Sequence, residues 1–136
     1  MDRLLGNYSS HLYAILRIVS GLLFAMHGSQ KLFGWPGDKP PVEIASLMGF
    51  AGIVELVCGL LIAIGLLTSW AAFIASGQMA VAYFMAHASR EAFPILNQGE
   101  PAMLFCFIFL YFAAQGSGIW SVDRPRRRTT NPVFST

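Results

Sequence analysis

Three residues stand out because their chemistry does not suit their surroundings. Glu55 lies within an apolar run from Gly49 to Leu67. Arg17 and Gln78 lie inside two other apolar runs. An ionisable group in the middle of a bilayer costs at least about 2.5–3.5 kcal/mol, so it must face protein and find a partner. Measured from the nearer helix end on one side of the membrane, Arg17 is expected roughly 9 Å deep, Gln78 about 12 Å and Glu55 about 16–18 Å. A stretched arginine spans such an offset. Helical phase agrees: Ala14, Arg17, Gly21, Ala25 and Gly28 share one stripe, and Gly52, Glu55, Gly59 and Ile62 share another. Small residues beside the charged ones are what an inward face requires. The sequence therefore predicts a buried Arg17–Glu55 pair, bridged by Gln78. Such a pair either fixes helix register or belongs to a proton-relay or quinone-binding site.

A second polar group is expected toward the opposite surface. His27 and Lys31 are one turn apart, His87 closes the third apolar run, and Asn97 and Glu100 precede the fourth. These residues suit a hydrogen-bonded ligand head group or proton exchange, since histidine titrates near neutrality. They are equally readable as interfacial residues satisfied locally. A haem between His27 and His87 is disfavoured, because His87 is about half a turn out of phase with Gln78. On the third helix Ala71, Gln78, Ala82 and Met85 line up, but a second stripe, Ser76, Ala80, Tyr83 and His87, leaves the inward face open between two choices. No metal site is predicted. Cys58 and Cys106 form no CxxC pair and differ in expected depth by about 8 Å, which argues for packing rather than a disulfide.

The elements that must carry these groups follow from composition. Of 136 residues, 55% are hydrophobic and 12% charged, with a mean hydropathy of +0.57. A soluble domain carries roughly twice that share of charge, so an integral membrane protein is expected. Four spans are predicted, at about residues 11–33, 44–67, 70–88 and 101–119. Residues 1–10 form a lead-in, residues 11–120 the membrane domain, and residues 121–136 a basic polar tail. Gly34, Trp35 and Pro36 stop the first helix at an interface, and Pro101 starts the fourth. The first run is too long for the core of a cleavable signal. The expected fold is an all-α, antiparallel four-helix bundle. An even number of spans and the arginines at 124–128 place both termini in the cytoplasm. The basic tail sets topology or touches anionic lipid, and no nucleic-acid partner is expected.

The order of these residues resembles the DoxX family. The first run holds Arg17, Gly21, His27, Gly28, Lys31 and Leu32, and the second holds Gly52, Glu55, Gly59, Gly65 and Thr68. Phe93, Pro94, Asn97, Gly99 and Glu100 then precede the last helix, and Gly116, Gly118, Trp120, Ser121 and Asp123 close it. The resemblance covers about residues 11–123. It implies a multi-pass protein of the bacterial inner membrane. It also implies kinship with subunits of terminal quinol oxidase and thiosulfate:quinone oxidoreductase, and with membrane complexes of oxidative-stress and thiol defence. The positions carried over are Arg17, His27, Lys31, Glu55, Asn97 and Glu100. No covalent cofactor is expected, and quinone or quinol is the candidate ligand.

Two functions remain open at this point. One is a small membrane subunit of an oxidoreductase system that binds quinone or quinol, with Arg17, Glu55, Gln78, His27 and His87 as hydrogen-bonding groups. The other is a non-catalytic scaffold or assembly subunit whose Arg–Glu pair is structural. The expected partners are the lipid bilayer and either redox-complex subunits or further copies of the chain.

Overall fold

A computed structural model describes residues 4–123. It is helical, with no strand among the described residues. A short turn of 3-10 helix, Gly6–Tyr8, leads into α1, Ser9–Phe33. Then follow α2, Leu47–Ile64, and α3, Thr68–Ala82, which runs directly into a π-helical turn, Tyr83–His87. A single-turn α4, Pro94–Asn97, precedes α5, Glu100–Gln115. The expected lead-in and basic tail fall partly on residues 1–3 and 124–136, which lie outside the described residues.

Local signals set the helix ends. Ser46 is extended and its Oγ accepts from the Gly49 amide at 3.0 Å, which caps the start of α2. At the other end Gly65 takes a left-handed conformation, with φ of 74°. There the Leu66 amide reaches the Leu61 carbonyl and the Gly65 amide reaches Ile62, a Schellman closure. This ends α2 three residues earlier than the apolar run suggests.

Glycines let α1 and α2 lie against each other. A Cβ on Gly21 would come within 2.7 Å of the Gly59 carbonyl, and one on Gly28 within 2.6 Å of the Gly52 carbonyl. Numbers rise along α1 as they fall along α2, so the pair is antiparallel. The predicted stripes are the packed faces: Ala14, Arg17, Gly21, Ala25 and Gly28 are all buried, and so are Gly52, Glu55, Gly59 and Ile62. α3 packs on α5 in the same antiparallel sense, with the Ser76 hydroxyl donating to the Cys106 carbonyl. Phe24 of α1 stands against Phe105 and Phe109 of α5 and joins the two pairs through a common aromatic core.

The outward faces of the long helices are apolar. Leu16, Val19, Leu23, Ile53, Leu60, Phe73, Ile74, Leu104 and Phe107 are exposed. A soluble surface does not expose contiguous apolar area on this scale, whereas lipid accepts it. Gly6–Phe33 and Leu47–Ile64 are long and apolar enough to cross a membrane, and Glu100–Gln115 is a shorter apolar helix.

Candidate functional site

Glu55 projects from the packed face of α2 and is 2% exposed. Its partner is not Arg17. The Lys31 ammonium, from the last turn of α1, meets Glu55 Oε1 at 2.5 Å. Lys31 is 25% exposed, so its stem runs inward from near the surface. Gly52 gives it room: a Cβ there would stand 3.1 Å from Lys31 Cβ. From α3, Gln78 donates through Nε2 to the same Oε1 at 3.0 Å and to the Ala51 carbonyl at 3.3 Å. Three helices therefore converge on one carboxylate oxygen, and the predicted contact between Gln78 and Glu55 is present.

The correction for Arg17 comes from helix register. The arginine lies under the end of α2, its guanidinium carbon 3.3 Å from where a Cβ of Gly65 would be. Gly65 is ten residues beyond Glu55, about 15 Å along the helix, nearly twice the offset expected from the helix ends. Arg17 is fully buried and turns to carbonyls instead. Nε donates to Ile62 at 3.1 Å, Nη1 to Ile119 at 2.9 Å and to Ser117, and Nη2 to Trp120 at 2.6 Å. The last turn of α2 offers the negative end of a helix dipole, and the segment after α5 supplies the remaining acceptors. That segment is itself tied down, since the Val122 and Asp123 amides bond to the Ile64 and Gly65 carbonyls.

The second predicted cluster separates into parts. Lys31 leaves it for Glu55. His27 is exposed beside Phe105, and Glu100 is exposed. His87 and Asn97 do meet, with His87 Nδ1 2.9 Å from the Asn97 carbonyl. Asn97 is buried, bonded to the Glu91 carbonyl at 3.0 Å, to the Tyr83 hydroxyl at 3.3 Å and to the Gly99 amide at 2.8 Å. The π turn carries Tyr83 and His87 to this knot, because its wider turn shifts the phase of everything after Ala82. It also resolves the two stripes of α3. The buried centre is Ala72, Ala75, Ser76 and Met79, with Gln78 flanking it toward α2. Cys58 and Cys106 are both free thiols.

One feature of the Glu55 site had no sequence signal. Glu55 Oε2 and Gln78 Oε1 are buried with no hydrogen-bond donor from the described residues. Turning the Gln78 amide over would aim its oxygen at Glu55 Oε1 and the Ala51 carbonyl, both acceptors, so the orientation with Nε2 toward them is the satisfied one. Buried acceptors of this kind are uncommon and call for an explanation.

The DoxX family model matches residues 12–88. The chain belongs to the DoxX family. The match takes in α1 from its fourth residue, α2, α3 and the π turn, and so all three residues of the Glu55 group. Relatives extend the likeness beyond it. An uncharacterized protein of Haemophilus influenzae is 39% identical over 126 residues, covering 88% of this chain and 93% of its own length. An uncharacterized membrane protein of Mycobacterium tuberculosis is 33% identical over 137 residues, covering 80% and 77%. No solved structure matches this DoxX chain.

Proposed function

We propose that this DoxX protein is a four-span subunit of an oxidoreductase system in the bacterial inner membrane. On this reading Lys31, Glu55 and Gln78 bind a quinone or quinol. The carrying observation is Glu55, a carboxylate 2% exposed among apolar helices, with a cation and an amide supplied by two neighbouring helices. Intramembrane groups of this type mark ligand and proton paths, because their desolvation is otherwise only a cost. The continuous helix from Thr68 to His87 and the shorter α5 supply the third and fourth spans. Both chain ends then lie on the cytoplasmic side.

The chemistry available to the chain's own residues is hydrogen bonding and proton exchange at Glu55. Lys31 supplies the counter-charge, and Gln78 fixes which carboxylate oxygen is engaged. Electron transfer on this reading runs between the bound ligand and partner subunits. The test is gentle purification from the native membrane followed by mass spectrometry of bound lipids and quinones. A stoichiometric quinone, lost in Glu55→Gln, supports the reading. Copurifying subunits with no quinone in any preparation overturn it.

A scaffold role is the second reading, and Arg17 favours it. Four of its five guanidinium hydrogens go to backbone carbonyls, which is the work of a residue that fastens segments together. Arg17 is accordingly a structural residue under either reading.

A further inference from the structure

The two unpartnered atoms at the Glu55 site, Glu55 Oε2 and Gln78 Oε1, are both acceptors. A buried acceptor left without a donor costs about 1–3 kcal/mol, more when charged, so the site is complementary to a group that donates. The recorded bonds of the neighbouring donors go to other acceptors. Both Lys31 and Gln78 direct hydrogens at the other carboxylate oxygen, Oε1, and Gln78 also serves the Ala51 carbonyl. From these atoms we infer that the site takes the hydroxyl-bearing, reduced form of its ligand in preference to the carbonyl-bearing, oxidised form. This rests on the quinone or quinol reading above and refines it. A hydroquinone brings O–H donors to Glu55 Oε2 and Gln78 Oε1. The corresponding quinone brings only acceptors, which leave both atoms unsatisfied and set oxygen against oxygen.

The test uses full-length protein stripped of quinone in detergent, under anaerobic conditions. A short-chain benzoquinol and its benzoquinone are titrated separately, with binding read by calorimetry and by the shift in melting temperature. The quinol is expected to bind at least about tenfold more tightly, the equivalent of one hydrogen bond to a charged group. Gln78→Met keeps the Lys31–Glu55 pair and is expected to reduce that preference. Glu55→Gln is expected to abolish it. Equal binding of the two forms, or tighter binding of the quinone, overturns the inference and leaves the quinone-site reading intact. An unchanged preference in Gln78→Met overturns it as well, and serves where Glu55→Gln does not fold. Binding of neither form overturns the site reading and the inference together.

Discussion

Replacing Lys31 by methionine strips the counter-charge from a carboxylate that has almost no contact with solvent. The expected loss of stability is about 3–5 kcal/mol, because the remaining charge is buried without its partner. The double variant Lys31→Met, Glu55→Leu is expected to recover most of that loss. A double-mutant cycle from unfolding in mixed micelles measures the coupling, and simple additivity of the two changes would remove the pair from the account. Arg17 answers differently. Arg17→Lys keeps the charge but not the planar fork that reaches four carbonyls in three directions. It is expected to destabilise nearly as much as Arg17→Ala and to increase proteolysis after Gln115, as followed by mass spectrometry of fragments. Full rescue by lysine would show that charge alone matters there. At this scale the sequence was half legible. That Arg17 and Glu55 face inward follows from small residues sharing their stripes, whereas two stripes compete for the inward face around Gln78. Which of them meet depends on how α1 slides along α2, and that is set by Gly21, Gly28, Gly52 and Gly59 together with the early stop of α2 at Gly65.

Helix contact in this protein turns on the absence of side chains at a few points. Gly59→Leu puts a branched side chain where a Cβ already comes within 2.7 Å of the Gly21 carbonyl. The backbones must separate, and Lys31 then loses its alignment with Glu55. The expected result is loss of monodisperse protein on gel filtration in detergent. Gly77 is the control: nothing lies within 4 Å of a Cβ there, and it sits mid-helix in α3. Gly77→Ala is expected to be neutral or to stabilise by up to about 1 kcal/mol through the unfolded chain's lost freedom, read as an equal or higher melting temperature. Comparable damage from both substitutions would mean that helix propensity, not packing, governs. The periodicity of α1 and α2 shows these faces plainly. α3 was ambiguous because its two halves obey different phases. The π turn at Tyr83–His87 joins them, and its cause is tertiary: Asn97, ten residues downstream of His87, holds the turn in place.

For the whole molecule, a four-span topology makes a direct prediction about sidedness. With Cys58 and Cys106 replaced by alanine, Asp38→Cys between α1 and α2 is expected to react with a membrane-impermeant maleimide in intact cells with a permeable outer layer. Asn7→Cys, before α1, is expected to react only after lysis. Reaction of both from the same side would overturn the arrangement. The membrane class was legible from composition alone, because apolar residues outnumber the positions a core of this size can hide, and the outward faces display the excess. The tie between the two far ends of the chain was not legible, since carbonyl acceptors leave no mark in side-chain identity. Its consequence is temporal. Arg17 and its acceptors at Ser117, Ile119 and Trp120 are separated by 100 to 103 residues. At synthesis rates of roughly 5–20 residues per second, α1 waits about 5–20 s for them. During that interval the arginine sits in a newly made helix without its final partners. The growing chain thus holds one guanidinium short of its full set of acceptors until the segment after α5 arrives.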